Sequence, residues 1–506
     1  MNLNNKSLVK EEWISEDEYG EKLLYDNVAD NLEFISKMLG DSFDLIAREI
    51  IYKNSHQDIK TGIVVMEGLS DSLFVNQVIL DNLGERFSIL EDKIKKAEMI
   101  EIFEKSLLQL SNVRVENTFG RLINHILNGD TVLLIDGLIE FLAISSKGFK
   151  ERAIEEPKNN VSVKGSKESF TESMATNVSI IRRRIRNPNL RIKVVIIGSK
   201  TNCNIAIVYM NGLLDEKVLS TLYKRLNSKE IESIVDSSYL KNFLKEEQKS
   251  VLPLIYDTER PDSVVGNLYE GRFAIIVDGS PYALIAPVTF SNFLTSVEDY
   301  YNKSFVGSAL RVLRYIAVLI SLSLPGLYMC TISFHSELLP INMVYSITGQ
   351  RANVPIPAAL EMILTIFAFD LLTEAGTRMP RAVGTALSFV GAIVIGQAAV
   401  EANLISSMML IVVAINGIGT LLIPDYDMSQ TTKFLRYLIL FASLIFGLFG
   451  FAIASCILLL HMISLRSFGK PYLQPFAPLV KEGLLDTIFR APLGKLLNRK
   501  KKNGKN

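Results

Sequence analysis

The chain has 506 residues, 54 basic and 54 acidic, and is 48% hydrophobic. That balance excludes a basic nucleic-acid binder and an acidic disordered segment as descriptions of the whole, and no nucleic-acid partner is expected. From Val306 to Leu465 only 14 of 160 residues are Asp, Glu, Lys or Arg, against 94 in the remaining 346. A soluble part and a membrane part therefore adjoin in one chain.

The expected fold class is α/β plus all-α membrane, meaning tandem α/β cytoplasmic subdomains followed by a multi-pass transmembrane helical domain. The boundaries read as a polar helical segment over 1–59, a first α/β subdomain over 60–160, and a linker helix with a second subdomain over 161–305. Transmembrane helices follow over 306–465, and a basic cytoplasmic tail over 466–506.

In chain order, the N-terminus lacks a basic start followed by an apolar run, so no signal peptide is expected and the first 300 residues should stay in the cytoplasm. Leu32, Ile35, Leu39, Phe43 and Ile46 fall at helical spacing. An apolar strand then runs into a glycine turn, Ile63-Val64-Val65-Met66-Glu67-Gly68-Leu69-Ser70-Asp71. The pattern returns at Ile207-Val208-Tyr209-Met210-Asn211-Gly212-Leu213-Leu214-Asp215, identical at six of nine positions. Gly129 to Gly137 is echoed by Gly271 to Gly279 at nearly the same offset, which predicts two related subdomains over about 60–155 and 190–290. Asp-Gly at 136–137 and 278–279 reads as tight-turn chemistry between strands.

Val194 to Thr201 ends in Gly-Ser-Lys-Thr after an apolar strand. Lys193 stands where a phosphate-binding loop has its first glycine, and Ser199 separates glycine from lysine, so nucleotide binding is rejected. Three cysteines (Cys203, Cys330, Cys456) make no CxxC spacing, and four scattered histidines make no metal site. No catalytic constellation is visible, and neither an enzyme activity nor a cofactor is expected. The run Arg182-Arg183-Arg184-Ile185-Arg186 before Pro188 reads either as a solvated basic helix or as a cationic face for anionic lipid or a neighbouring subunit.

Five apolar stretches follow: Tyr315–Phe334, Pro355–Leu372, Ala382–Val400, Ala402–Pro424 and Tyr437–Leu465, each long enough to cross a bilayer as a helix. Arg311/Arg314, Arg378/Arg381, Lys433/Arg436 and the tail, with ten Lys and Arg against two acids, all mark the cytoplasmic side. Five simple crossings cannot leave both ends inside. Either Leu338–Gly349 crosses as well, or the last segment bends back near Gly447 and Gly450; the second keeps Arg378 and Arg381 inside.

Ionisable groups at membrane depth need a reason. Glu361, in the first turn of its helix, suits the helix dipole. Asp370 and Glu374 share one face near Arg378 and Arg381, which points to ion pairing at the boundary or to an ion path. Gly384, Ser388 and Gly391 form a small-residue face on Ala382–Val400, fit for a pore wall or for close helix packing. Glu401, near Gln397 at the opposite boundary, is a candidate carboxylate ring.

Several of these segments resemble the spore germinant-receptor A subunits of the GerA type. They are Tyr256-Asp257-Thr258-Glu259-Arg260-Pro261-Asp262, Val277-Asp278-Gly279-Ser280-Pro281, Phe334-His335-Ser336-Glu337-Leu338-Leu339-Pro340, Glu374-Ala375-Gly376-Thr377-Arg378-Met379-Pro380 and Gly396-Gln397-Ala398-Ala399-Val400-Glu401-Ala402. The similarity runs from about residue 30 to Pro478. It implies a multi-pass protein of the inner spore membrane, working with a membrane B subunit and a lipoprotein C subunit. It also implies a homo-oligomer, a pentamer, that forms a nutrient-gated channel for monovalent ions whose opening triggers germination. A secondary transporter-like protein and a non-receptor sporulation paralogue with an ion-release role are the alternatives.

Overall fold

The computed structural model describes residues 13–53, 58–81, 84, 112–148, 164–228, 231–245, 250–378, 396–484 and 486–491. One compact unit takes Met1–Gln248 and Ile255–Val288; a second takes Lys249–Leu254 and Thr289–Asn506.

The first unit holds two five-stranded sheets. In the first, β1 (Leu45–Tyr52), β2 (Ile59–Met66), β3 (Val113–Glu116), β4 (Thr131–Ile135) and β5 (Phe141–Ile144) are arranged β1-β2-β4-β5-β3. In the second, β6 (Leu190–Ile197), β7 (Cys203–Met210), β8 (Tyr256–Thr258), β9 (Phe273–Val277) and β10 (Ala283–Ala286) are arranged β6-β7-β9-β10-β8. The orders correspond strand for strand, all pairs are antiparallel, and the registers agree: Leu133 faces Leu142 as Ile275 faces Leu284. In each sheet the strands β4, β5 and β9, β10 are buried along their whole length. In β2, Val64 and Met66 join one core with Ile35, Phe119 and Ile123, while Ile63 and Val65 join another with Val75 and Ile79. This is the two-residue alternation of a strand buried on both sides.

The repeat is longer than the sequence reading made it. Helix α1 (Val28–Met38) and β1 lie inside the stretch expected to be a separate 1–59 segment, yet they are the first two elements of the first repeat. Their counterparts are α3 (Met174–Arg184), expected as a linker helix, and β6; α2 (Phe119–Leu127) lies between β3 and β4. Side chains make the equivalence explicit. The Asn31 amide clasps the backbone of Tyr25 at both N–H and C=O, and the Asn177 amide does the same to Thr171. Asp136 accepts from the N–H of Val28, and Asp278 accepts from the N–H of Met174. The paired glycines Gly68/Gly212, Gly129/Gly271 and Gly137/Gly279 all have positive φ, between 69° and 87°. That region excludes most side chains, which is why glycine marks the repeat in sequence.

The Gly-Ser-Lys-Thr stretch lies in the hairpin between β6 and its antiparallel partner β7, with no helix after it to receive a phosphate. Within the basic run Arg182, Arg183 and Arg184 are held by acids, and Arg186 at its end is exposed. Arg182 is fully buried and forks onto Asp44, with Nε to Oδ2 at 2.8 Å and Nη2 to Oδ1 at 3.0 Å. Arg183 and Arg184 both bond Glu168. The Arg182–Asp44 pair ties the helix of the second repeat to the loop that enters β1 of the first. Further along, helices α4 (Glu216–Ser228), α5 (Ser237–Leu244) and α6 (Pro261–Tyr269) complete the second repeat.

The second unit is helical: α7 (Ser304–Ser333), α8 (Ile341–Arg351), α9 (Ala358–Arg378), α10 (Gly396–Glu401), α11 (Ser407–Leu421) and α12 (Tyr426–Ser464). By length and composition α7 and α12 can cross a membrane. Helix α12 is not one rod. Gly447 has φ 58° and ψ −140°, outside helical space. A Cβ on Gly450 would overlap the carbonyl of Ala442, eight residues back, which a continuous helix would carry about 12 Å away. Both arms end at one place: Thr431 donates to the Val251 carbonyl at 3.0 Å, and His461 lies 3.3 Å from the Ser250 hydroxyl. The last apolar segment is therefore a helical hairpin that reverses at Gly447, the bend that the charge pattern favoured. The chain beyond it returns to the start of α7, where Arg490 N donates to Ser308 Oγ at 2.9 Å.

Candidate functional site

Among the described residues of the helical unit, three polar clusters join elements far apart in sequence. The first surrounds the N-terminal part of α7. Arg311, fully buried, bonds Asp299 through Nε at 3.1 Å, and through Nη1 it bonds the carbonyl (2.7 Å) and carboxylate (3.1 Å) of Asp486. Arg314 shares the Asp299 carboxylate at 2.8 Å. The two arginines expected to flank the first span are thus paired, one of them with the chain's C-terminal region.

The second cluster joins four helices. Asp370 of α9 accepts from Arg436 at 2.6 Å and from the Tyr437 hydroxyl at 2.7 Å, both on α12. Arg436 also reaches the amide oxygen of Asn416 on α11. The Asn416 nitrogen donates to the Ser321 carbonyl on α7 at 2.8 Å, and Ser321 and Thr420 hydroxyls lie 3.1 Å apart. Of the two acids for which ion pairing near Arg378 and Arg381 is one expectation, Glu374 pairs with Arg378 at 2.8 Å on the exposed face, while Asp370 turns to Arg436. One helical face spans enough arc for neighbours four residues apart to meet different partners. Arg381 lies outside the described residues.

The third cluster sits where α9 and α11 begin. Glu361 is buried, and its Oε1 accepts from both the N–H and the hydroxyl of Ser406, 2.7 Å each. The carboxylate therefore caps the N-terminus of α11 rather than serving only its own helix, where the dipole argument had placed it. Gln350 of α8 extends the cap, accepting from Ser407 Oγ at 3.1 Å and Met408 N at 3.2 Å. Glu361 Oε2 lies 3.5 Å from Arg351 Nε. Those two atoms and the Tyr328 hydroxyl are buried without a hydrogen-bond partner.

Removed from water, an ion pair is held by good geometry or not at all, and breaking one is costly. Hence these clusters fix the register of the helices, while large apolar side chains such as Phe367, Leu438 and Phe449 stay exposed. Gly384, Ser388 and Gly391 lie outside the described residues. Glu401 ends α10, exposed, with Gln397 Nε2 donating to its Oε1 at 2.9 Å. Among the described residues no group of three or more His, Cys, Asp and Glu could hold a metal ion. Sequence reasoning missed Asn416 and Ser321. The signal available was a carboxamide inside a charge-free apolar run, which in lipid must find a partner.

Residues 33–502 match the family described as Bacillus/Clostridium GerA spore germination protein. The chain is similar to spore germination protein KA of Bacillus subtilis (strain 168), 39% identical over 471 residues, covering 93% of this chain and 85% of that protein. It is 34% identical over 467 residues to the uncharacterized membrane protein YfkQ of the same organism, covering 92% and 89%. Among solved structures it is similar to the N-terminal domain of the A subunit of the Bacillus megaterium spore germinant receptor GerK3, at 30% identity and a TM-score of 0.41, covering 53% of this chain and 98% of that one.

Proposed function

We propose, from the premise that this chain belongs to the GerA family of spore germination proteins and has a role in germination, that it is the A subunit of a nutrient germinant receptor. In this reading it is a multi-pass protein of the inner spore membrane with its two-repeat unit in the cytoplasm. It assembles with a membrane B subunit and a lipoprotein C subunit. As a homo-oligomer, a pentamer, it forms a nutrient-gated channel for monovalent ions.

The observation that carries the reading is the family match over nearly the whole chain together with the hairpin at Gly447. With α7, α9, the apolar stretch 382–400, α11 and the two arms of α12, the chain makes six crossings, and both ends lie on the side marked by Arg311, Arg314 and Lys433. The acids of α9 add support, because Glu361 and Asp370 are paired rather than left bare in hydrocarbon.

Gly384, Ser388, Gly391 and Glu401 remain the proposed pore wall, their small and hydroxyl side chains letting an ion pass without a deep trap. The test is reconstitution of the chain with and without its B partner in liposomes, with monovalent-ion flux followed on nutrient addition. Flux should require the nutrient, enlarging Ser388 should alter conductance, and Glu401→Gln should lower cation preference. A correctly assembled complex without an axial pore, indifferent to both substitutions, overturns the channel and favours a transporter.

A further inference from the structure

Between α7 and α9 the chain makes a 3-10 turn, Ser336–Leu338, and then α8. Eleven residues of helix span about 16 Å, half of the roughly 30 Å hydrocarbon core, so α8 cannot cross a bilayer. Its surroundings divide it into three sectors. At about 100° per residue, Met343, Val344, Ile347 and Arg351 share one sector of about 100°. That sector faces the helical unit: Ile347 is buried, Met343, Val344 and Arg351 are half-buried, and Arg351 reaches Glu361. Asn342, Ser346, Gly349 and Gln350 make a polar sector of similar width. Between them lies a narrow edge carrying Ile341, Tyr345 and Thr348, continued through the preceding turn by Leu338.

This edge is apolar yet open: Leu338, Ile341 and Tyr345 are 64%, 62% and 69% exposed. No charged residue occurs from Leu338 to Gln350. Helix α9 likewise carries an exposed apolar stripe, Leu360, Leu364, Phe367 and Leu371, whose 4-3-4 spacing marks one outward helical face. Bundle, apolar edge and polar face, in that order around the axis, are the three environments met by a helix lying in a membrane surface beside the helices that cross it. Tyrosine at the edge suits the boundary, with its ring toward acyl chains and its hydroxyl toward headgroups.

We infer that α8 is a surface anchor that seats the edge Leu338–Ile341–Tyr345 in the headgroup–acyl boundary of a phospholipid bilayer, on the face opposite the N-terminus of α7. The inference rests on the reading that α7 and α9 cross the membrane. The contacts of Arg351 and Gln350 make the anchor rigid with the starts of α9 and α11, so the depth of α8 sets the depth of both.

The test uses the full chain in phospholipid vesicles. Trp13 is the single tryptophan; Trp13→Phe removes it, and Tyr345→Trp then places one probe on the edge. A parallel variant carries Phe441→Trp on the outward face of α12, six residues before the hairpin bend. Lipids brominated near the headgroup should quench the Tyr345→Trp probe more than lipids brominated deep in the chain, and the order should reverse for Phe441→Trp. Quenching of Tyr345→Trp by aqueous iodide and by neither lipid overturns the anchor and leaves the edge in water. Shielding from iodide and both lipids overturns it in favour of a protein partner or a second copy. An unquenched Phe441→Trp probe overturns the membrane reading itself, and the anchor with it.

Discussion

The Arg182–Asp44 pair offers a direct measurement of what holds the two repeats together. Both side chains are buried, the fork is two-fold, and the guanidinium has further contacts at 3.3 Å with the Leu190 carbonyl and the Ser42 hydroxyl. Removing one partner of such a pair strands a charge away from water and costs about 3–5 kcal/mol. Asp44→Asn keeps the shape and one acceptor oxygen and belongs at the lower end. Arg182→Met leaves the carboxylate with no cation and belongs at the upper end. At tenfold per 1.4 kcal/mol, hydrogen exchange of the amides of α3, β1 and β6 should accelerate roughly a hundredfold to several-thousandfold, read by mass spectrometry on the full chain in vesicles. The double variant Asp44→Asn/Arg182→Met removes both charges and should recover most of the protection. If each single variant accelerates exchange by less than about fivefold, the pair has only the worth of an exposed salt bridge and does not fasten the repeats.

Three further outcomes follow from particular residues. Gly447→Ala forces a β-carbon into a left-handed φ, 3.0 Å from the Phe334 ring, and should cost about 1–3 kcal/mol, seen as a lower melting midpoint in detergent. Glu361→Ala leaves Ser406 without its acceptor and should lower the same midpoint by about 1–3 kcal/mol, whereas Glu361→Gln keeps a carbonyl there and should recover most of it. Burial pushes the Asp236 carboxyl up, but hydroxyls of Ser238 and Ser280 and the amides of Ser238 and Ser237 outweigh it and hold the group below its ordinary range. The resulting stability is complete above the ordinary carboxylate pKa of about 3.9 and is lost as pH falls through the lower folded value. Proteolysis of the α5 region should therefore rise on acidification, and Asp236→Asn should flatten that dependence.

The sequence carried the repeat wherever backbone geometry demanded one residue type: the glycine pairs with positive φ and the Asp-Gly turns. It did not reveal that α1 and β1 belong to the first repeat. Leu45–Tyr52 is a half-exposed edge strand whose Arg48 and Glu49 interrupt any apolar run, and the amide clasps of Asn31 and Asn177 leave no pattern a reader can scan for. Ion pairs were the least legible, because Asp44 and Arg182 stand 138 residues apart and Asp370 and Arg436 stand 66 apart. In the helical unit, the near-absence of charge announced helices, while the destination of each remaining charge depended on packing. The bend at Gly447 was accessible only as one of two ways to balance the ends, and the torsions of Gly447 show the bend itself.

The reach of the C-terminal region back to α7 bears on biosynthesis. Arg311 is among the first residues of the helical unit to be made, yet its partner Asp486 emerges 175 residues later. At typical translation speeds of about 5–20 residues per second, the guanidinium waits on the order of ten seconds or more with Asp299 as its nearby acid. This contact of the unit thus closes only after Asp486 has been made, and a nascent chain released before Asp486 is left with an arginine only half satisfied. Truncations near the tail should then act as assembly defects felt at the opposite end of the helical unit.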